Sequence, residues 1–446
     1  MFRSFSMFNY RVWFIGALVS NTGTWMQATA LSWVVLTELT NNDAAAMGIT
    51  MGLQFGPPLV LVSITGWVAD RFDRRLLLIA TQTTQLLLGV VIGLLLLWGV
   101  MTLPMIYAFA LALGVATAFD APARQAFVSD LVTREYASNA VALNSASFNA
   151  ARLIGPAVAG LVIVAFGTGW VFLINALTFV VMIVALILIH TDELIPRVKA
   201  PGAARLADGF RYVASRPDLA VTFVMVFLLG AFAMNFPIFA STMALEFGQD
   251  ADGYGLLSSI LAIGSLAGAL LAARRDRARI RMVIMGSGLF GVTALVSAAM
   301  PTYWFYAATL MVTGFAVVTT LTTANGYVQT TTDAALRGRV LALYMAILMG
   351  GTPVGAPIVG WVAAEFGPRT AILLGAGAAL LACGIGMVWL LASGRLHRDR
   401  EYRFRLALDE TRPIPVVAPE EFSDQIAQTT PIRVSDDPTA PARPAR

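Results

Sequence analysis

Long apolar stretches alternate with short polar stretches along most of this 446-residue chain. A helix needs about 20 apolar residues to cross roughly 30 Å of hydrocarbon, and twelve stretches reach that length. They cover approximately residues 12–37, 46–69, 76–98, 103–122, 138–165, 169–190, 219–244, 254–273, 281–300, 303–327, 338–364 and 369–393. Because backbone groups find no water to bond in lipid, such stretches must be helical. The pattern predicts an all-α polytopic membrane protein with twelve transmembrane helices.

Composition excludes the main alternatives to a membrane protein. Hydrophobic residues make up 58% of the chain and charged residues only 13%, whereas soluble domains carry about 25% charged residues. The single cysteine, Cys383, lies in the last apolar stretch and excludes an intramolecular disulfide and a cysteine-based metal site. The two histidines, His190 and His397, lie at helix ends and accompany no nucleophile motif or metal-ligand cluster. We therefore expect no enzyme activity, no cofactor and no metal.

Basic residues occur in every second connection between the predicted helices. The connections near 38–45, 99–102, 166–168, 245–253 and 301–302 contain no Lys or Arg, and the last connection on that side holds only Arg369. Since cytoplasmic connections carry an excess of Lys and Arg, we expect a multi-pass protein of the cell membrane with both termini in the cytoplasm. The net charge of +4 then reflects topology, and we expect no nucleic-acid partner.

The two halves of the chain repeat each other with an offset of 200 residues. Identical residues recur as Gly155 and Gly355, Gly160 and Gly360, and Phe166-Gly167 and Phe366-Gly367. Copies in parallel orientation, six spans apart, predict two pseudo-symmetric six-helix bundles. We divide the chain into bundles at 1–190 and 219–393, a cytoplasmic linker with an amphipathic helix at 191–218, and a largely disordered cytoplasmic tail at 394–446. A short charged helix is expected near 398–410 of that tail.

The turn between the second and third predicted helices combines a carboxylate with three arginines. Residues 66–75 read Gly-Trp-Val-Ala-Asp-Arg-Phe-Asp-Arg-Arg. Arginines alone would satisfy the positive-inside rule, but Asp70, four residues after Gly66 at a helix end, is not explained that way. The spacing G-x-x-x-D-R-x-x-R-R resembles the signature loop between helices 2 and 3 of major facilitator superfamily transporters.

The resemblance implies a conformational latch. In the superfamily the loop Asp lies against the start of helix 11, where free N–H groups and the helix dipole attract a carboxylate. The implied latch residues are Gly66, Asp70, Arg71, Arg74, Arg75, Arg337 and Arg339. Asp73 stands where many members have Gly, and we expect the loop to form because Asp tolerates turn geometry. The matching loop near Arg274 lacks the Gly–Asp spacing, so the latch is expected to be one-sided.

The fifth predicted helix contains Gly155-Pro156-Ala157-Val158-Ala159-Gly160, which resembles the antiporter motif of the same superfamily. The motif implies a bend at Gly155, Pro156 and Gly160 that suits an exporter. Ordinary close packing of small residues is the alternative.

Two charged residues lie inside predicted helices. Arg152 is near mid-membrane, where a charge costs ~2.5–3.5 kcal/mol even on the most lenient scale and must face the bundle interior or a cavity. We expect Asp120 of the fourth helix to pair with it. Protonation of Asp120 would break the pair and couple proton entry to transport, and a purely structural ion pair is the alternative. Asp120 lies nearer the cytoplasmic face than the midplane.

Uncharged polar residues provide the other candidates for a cavity lining. They are Asn21, Thr24, Gln27, Gln54, Asn144, Asn149, Asn235, Asn325 and Gln329. Such side chains also hold helices together by hydrogen bonds, and aromatic residues such as Trp25 and Phe232 are expected in packing. A few amides among many apolar groups favour a neutral or weakly polar, amphipathic substrate.

Several short motifs resemble the transmembrane secretion effector group of the major facilitator superfamily. They are Asp-Arg-Phe-Asp-Arg-Arg at 70–75, Ala-Pro-Ala-Arg-Gln at 121–125, Ala-Leu-Asn at 142–144 and Arg-Gly-Arg-Val at 337–340. The resemblance covers roughly residues 10–393 and implies proton-driven export of small molecules such as siderophores or drugs by a monomer in membrane lipid. An importer or facilitator on the same scaffold, and a transport-inactive receptor signalling through residues 394–446, are the alternatives.

Overall fold

The computed structural model describes residues 3–133, 135–195, 206–273, 278–333 and 336–393, together with the pairs 397–398 and 406–407. The chain divides into two compact units, residues 1–390 and 391–446. The helical unit consists of two halves joined by a linker. The first half contains α1 (Phe8–Trp33), α2 (Ala44–Val60), α3 (Val62–Arg71), α4 (Arg74–Leu97), α5 (Leu103–Asp130), α6 (Ala137–Phe166) and α7 (Thr168–Leu188).

The linker and the second half complete the helical unit. They contain α8 (Leu206–Ser215), α9 (Pro217–Leu228), α10 (Phe236–Glu246), α11 (Ala251–Ala273), α12 (Ile280–Ala298), α13 (Tyr303–Thr331), α14 (Arg337–Phe366) and α15 (Pro368–Ala392). Single π-helical turns at Val34–Glu38 and Leu229–Ala233 follow α1 and α9. Within the part of the chain that the structure describes, ten spans are long and apolar enough to cross a membrane by length and composition, with α9 and α10 counted as one. Helix α1 with its π turn, and α2 with α3, form the other two spans, which confirms the twelve-helix prediction.

Within the described residues, two of the predicted helices are interrupted and a third ends in a π turn. The second span breaks at Leu61, just after Pro57 and Pro58, because proline lacks an N–H group and clashes with the preceding turn. The seventh span leaves the helical conformation at Met234 and Asn235, before Pro237 in the first turn of α10. The first span ends in a π turn. Uniform helices through these stretches were expected, so the prediction was incomplete there.

Helices α6 and α14 confirm the repeat in the sequence. Both contain 30 residues, and their first and last residues differ by the offset of 200. Each ends at a glycine with positive φ, +88° at Gly167 and +87° at Gly367. Residues with a Cβ avoid this backbone conformation, so the recurring glycines mark the same sharp turn in both halves.

We call the end of the bundle with the arginine-rich connections the basic end, and the opposite end the Arg-poor end. Arg369 is the exception at the Arg-poor end. Its side chain forms an ion pair with Glu246 at the end of α10 and donates hydrogen bonds to the carbonyl oxygens of Ala298 (2.8 Å) and Met300 (2.9 Å). One side chain thereby joins the ends of α10, α12 and α15.

The linker helix α8 packs on the second half of the chain. Val213 is buried, whereas Phe210, three residues earlier on α8, is 63% exposed. A Cβ on Gly209 would lie 3.1 Å from the Cβ of Arg339 in α14. A helix is therefore present at Leu206–Ser215 within the predicted linker, and one side of it faces α14. Residues 196–205 of the linker lie outside the described residues.

The second unit differs from its prediction where it is described. His397–Arg398 pairs antiparallel with Leu406–Ala407, so the expected helix near 398–410 is wrong at these positions. Tyr402, Phe404 and Leu406 alternate with arginines in the sequence, and alternation with period two favours a strand over a helix. The rest of residues 394–446 lies outside the described residues, and its expected disorder is untested.

Candidate functional site

The two halves meet closely at the Arg-poor end through two pairs of helices. In the pair α2 and α14, a Cβ on Gly48 would collide with the carbonyl oxygen of Ala356. In the pair α6 and α11, a Cβ on Gly160 would lie only 2.6 Å from the carbonyl oxygen of Ala251. Backbones can approach this closely only where both surfaces carry small residues. The Arg-poor end is therefore closed between the halves.

The same helix faces separate toward the basic end. On α6 the face that contacts α11 is buried at Pro156 and Gly160, but the positions in line with them toward the basic end, Ser145 and Ala142, are exposed. The matching face of α11 is buried at Gly255 and 59% exposed at Leu270. The halves thus diverge from mid-bundle downward. We call the space between the exposed faces of α6 and α11 and the equivalent faces of α2 and α14 the opening.

Arg152 lies at the closed end of this opening. It is half-buried, 15 residues from the first residue of α6 and 14 from the last. Its guanidinium carbon is 5.6 Å from the centre of the Trp25 ring in α1, and Trp25 in turn makes an edge contact with Phe148 at 5.7 Å. The backbone carbonyl of the next residue, Leu153, accepts a hydrogen bond of 2.8 Å from the Ser259 hydroxyl of α11. Arg152 therefore sits where the halves begin to touch.

The predicted ion pair between Asp120 and Arg152 is wrong. Asp120 instead accepts a hydrogen bond of 2.9 Å from Arg124, one turn further along α5. Acid–base pairs spaced by four residues meet on a helix surface, and this spacing in the sequence could have identified the partner. Arg152 takes part in no ion pair among the described residues.

The Asp120 carboxylate is buried among donors of the first half alone. Its Oδ1 accepts hydrogen bonds from Thr81 (2.8 Å) and Gln82 (2.7 Å) of α4. The Arg124 guanidinium, which holds Oδ2, lies 6.0 Å from the ring of Trp13 in α1. No motif in the sequence singles out Thr81 and Gln82. Asp120 consequently belongs to the interior of one half and not to the opening.

The loop at residues 66–75 is tied to the first half by its last two arginines. Arg74 donates hydrogen bonds to both carboxylate oxygens of Asp130 at the end of α5, at 2.9 and 3.0 Å. Arg75 donates to the carbonyl oxygens of Leu186 (2.6 Å) and Ile187 (3.0 Å) at the end of α7. These bonds satisfy carbonyl groups that a helix end leaves free, and they fix the loop to α5 and α7.

The beginning of the loop has a different environment. Arg71 lies 5.7 Å from the ring centre of Trp67. Asp73 is extended, with φ of −65°, and accepts a hydrogen bond from the backbone N–H of Leu76 as the N-cap of α4. Since this position requires no positive φ, aspartate replaces glycine without strain, and the expectation that the loop forms is confirmed. The side chain of Asp70 lies outside the described residues.

The surfaces of the implied latch are apart in this structure. A Cβ placed on Gly66 or on Gly338 would meet no described atom within 4 Å. Arg337 is exposed, and Arg339 is half-buried beside α8. The latch is expected to close only when the halves approach each other at the basic end, so it remains a prediction.

The glycine-proline segment of α6 provides contacts between helices. Helix α6 continues without a break through Pro156. A Cβ on Gly155 would lie 2.6 Å from the Cβ of Trp25, and Gly160 packs against α11. Close packing of small residues therefore explains the segment, and the exporter bend stays a prediction.

The other predicted cavity residues have different surroundings. Gln27 is buried and accepts a hydrogen bond of 2.7 Å from Asn175 of α7, so it joins two helices of the first half and its prediction as a cavity residue is wrong. Asn235 is fully buried at the break in the seventh span, which also contradicts its prediction. The remaining candidates are half-buried or exposed: Asn21, Thr24, Gln54, Asn144, Asn149, Asn325 and Gln329.

The sequence matches a model of the "Transmembrane secretion effector" family over residues 2–398. The chain belongs to this family. Its members are major facilitator superfamily transporters, so this protein is a membrane transporter and not an enzyme. The recognition that rested on the motifs at 70–75, 121–125, 142–144 and 337–340 is confirmed.

Characterised relatives of this transmembrane secretion effector protein include two named for siderophores. The chain is 24% identical over 365 residues to the Staphyloferrin A transporter of Staphylococcus aureus, covering 79% of this chain and 89% of that protein. It is 26% identical over 400 residues to the Enterobactin exporter EntS of Shigella flexneri, covering 88% of this chain and 93% of that protein.

Solved structures of transporters share the fold at low sequence identity. The nucleoside transporter NupG aligns with a TM-score of 0.66 at 14% identity, covering 86% of this chain and 99% of NupG. A D-xylose-proton symporter aligns with a TM-score of 0.67 at 13% identity, covering 84% and 96%. A bacterial homolog of the human lysosomal transporter Spinster, in an inward-facing conformation, aligns at 0.65 and 13%, covering 86% and 97%. These alignments establish the major facilitator fold.

Proposed function

We propose that this protein is a secondary active transporter that exports small amphipathic molecules of the drug or siderophore type by alternating access, driven by proton antiport. The observation that carries the proposal is the opening, which is closed at the Arg-poor end by Gly48 and Gly160 and diverges toward the basic end. A space that reaches mid-bundle from one side only is what alternating access requires. The siderophore transporters among the relatives support the substrate type.

The direction of the opening follows from the charge of the connections. Cytoplasmic connections are rich in arginine, so the basic end faces the cytoplasm and both termini lie there. The opening then faces inward, which is the state in which an exporter loads its substrate. The small-residue contacts of α2 with α14 and of α6 with α11 form the outer gate. Rocking of the halves opens this gate and closes the basic end.

The latch stabilises the opposite, outward-facing state. When the basic end closes, Asp70 binds the free N–H groups at the start of α14, near Arg337. Arg74 and Arg75 hold the loop to α5 and α7, so the Asp70 carboxylate moves with the first half as one body. Only the first-half loop carries the Gly–Asp spacing, and the latch is therefore one-sided.

Asp120 is the proposed proton-coupling acid because it is the one carboxylate of the described residues that lies deep within a span. Protonation would release Arg124 and two polar donors of α4, and would thereby change the packing of α4 against α5. The route of the proton involves this pair and not Arg152.

The direct test is accumulation of a panel of dyes, drugs and siderophores in cells with and without the gene, repeated with a protonophore. Cells with the gene are expected to accumulate less of a transported compound than cells without it. The protonophore should abolish this difference. Higher accumulation in those cells would establish an importer, which is the alternative because solved relatives of the fold include a D-xylose-proton symporter. Equal accumulation of every compound would contradict transport of this substrate class.

A further inference from the structure

Arg152 lies at the closed end of the opening, and no ion pair with a described residue explains its charge there. The described Asp and Glu residues lie at or beyond the ends of helices, with the exception of Asp120. Asp120 is bound by Thr81, Gln82 and Arg124 inside the first half. No described carboxylate is therefore placed to neutralise Arg152, although this residue lies at the middle of its span.

Arg152 is half-buried, and its guanidinium has an aromatic ring on one side. Trp25 stabilises the cation from one side through its ring face at 5.6 Å. Phe148, one helical turn closer to the basic end, is exposed and contacts Trp25 by its edge. Arg152 thus presents hydrogen-bond donors next to two aromatic rings at the deepest point of the opening.

The equivalent position in the other half shows that the fold does not require this charge. Thr352 of α14 occupies the position of Arg152 at the offset of 200, with the same half-buried exposure. The flanking residues Gly155 and Gly355 pack against the neighbouring span of their own half in both cases. A mid-span charge with no ion-pair partner among the described residues, at one of two matching positions, is a mark of a binding site.

We propose that Arg152 binds an anionic group of the transported molecule, a carboxylate or an acidic phenol carried on an apolar or aromatic body. The guanidinium supplies charge-assisted, bidentate hydrogen bonds, and the rings of Trp25 and Phe148 hold the body. This assignment rests on the proposed transport function and replaces the neutral substrate expected from the amide residues with an amphipathic anion. Until the substrate enters, Trp25 is the stabilising partner of the cation.

The test uses purified full-length protein in detergent with two probes of the same shape, 1-naphthoate and the uncharged 1-naphthamide. Binding is measured by isothermal calorimetry and by the shift in melting temperature. Wild-type protein should bind naphthoate at least about tenfold more tightly than naphthamide, since a charge-assisted hydrogen bond is worth that factor or more. Arg152→Gln should abolish this difference, and Arg152→Lys should retain part of it.

Arg11→Gln is the matched control, because Arg11 is an exposed arginine at the basic end of α1. It should leave the difference unchanged. Naphthoate that binds wild-type protein no better than naphthamide, or equally to wild type and Arg152→Gln, overturns the assignment. The comparison of the two probes on wild-type protein needs no variant, so it tests the preference for an anion even if Arg152→Gln does not fold.

Binding in detergent does not depend on direction or on proton coupling, which separates this inference from the proposed function. If naphthoate binding depends on Arg152 but cells show no export, the transport proposal fails and the anion site stands. If cells export only neutral or cationic compounds and naphthoate does not bind, the anion site fails and transport stands.

Discussion

Helices α6 and α14 have the same length, the same terminal glycine turn and nearly the same pattern of burial, yet their polar residues differ. Helix α6 carries Asn144, Asn149 and Arg152 where α14 carries Tyr344, Met349 and Thr352. The glycines that pack these two helices are thus repeated, whereas the mid-helix amide and arginine side chains occur on α6 alone. In this pair of helices the packing is symmetric and the polar chemistry is not.

The interiors of the two halves differ in the same way. In the first half, Thr81 contacts Asp120 across α4 and α5. In the second half, a Cβ on Gly286 of α12 would collide with Thr320 of α13, at the offset of 200 from Asp120. Thr320 donates its hydroxyl to the carbonyl of Ala316. The first half therefore has a buried ion pair at the place where the second half has a neutral, closely packed contact.

The largest effect is expected from removing the charge inside the first half. Asp120→Asn should lower the free energy of unfolding by about 3 kcal/mol, because Arg124 stays buried without its carboxylate. Thr320→Val in the second half is the control and should cost about 1 kcal/mol or less. Thermal unfolding in detergent measures both.

The same variant also tests coupling. Reconstituted Asp120→Asn protein should still exchange substrate but should no longer respond to a proton gradient. If the gradient continues to drive transport, Asp120 has a purely structural role. Equal free energies of unfolding for Asp120→Asn and Thr320→Val would contradict the difference between the interiors of the two halves.

The next largest effect is expected on stability, from glycines that allow close helix packing in both halves. Gly355→Ala places a Cβ against the carbonyl oxygen of Ala231, and Gly155→Ala places one 2.6 Å from the Cβ of Trp25. Overpacking of this kind costs about 2 kcal/mol. Both variants should therefore lower the melting temperature. Gly377→Ala in α15, where a Cβ meets no described atom within 4 Å, should not, and an equal loss there would show that the close contacts are not decisive.

A smaller effect, about 1–2 kcal/mol from a carboxylate at a helix N-terminus, is expected from the one-sided latch. Asp70→Asn should slow transport about tenfold while membrane insertion remains normal, because the outward-facing state loses its stabilising contact. Asp73→Asn keeps an N-cap residue for α4 and should transport at nearly the wild-type rate. Efflux measured in cells with matched expression compares the two, and unchanged efflux in Asp70→Asn would refute the latch.

The smallest effect is expected beyond the two halves. Deleting residues 394–446 should leave efflux unchanged within error, because the proposed transport elements lie before residue 394. Loss of efflux after this deletion, with normal membrane insertion, would favour the alternative in which the tail transmits a signal.

Helix count, halves and repeat could be predicted from the sequence because they depend on the length of apolar stretches and on the spacing of glycines. The interruptions at Leu61 and Asn235 could be anticipated only from the nearby prolines. The predicted stretch 103–122 ends before Arg124, whereas α5 continues to Asp130, and Asp120 and Arg124 neutralise each other within the helix.

The candidate site was predicted less completely than the fold. Arg152 was identified by its depth, but its aromatic neighbours and the donors around Asp120 come from other helices, and a single sequence does not specify which helix faces meet. Gln27 shows the same limit, because its hydrogen bond to Asn175 joins residues 148 positions apart.

Arg369 has a consequence for the biogenesis of the protein. In the proposed orientation, a guanidinium that must cross to the outer side opposes the charge rule that orients the other spans. Its acceptors, the Glu246 carboxylate and the carbonyl groups of Ala298 and Met300, all precede it in the chain. They are already synthesised when the last hairpin emerges from the ribosome, so the order of synthesis provides the counter-ion before the charge that needs it.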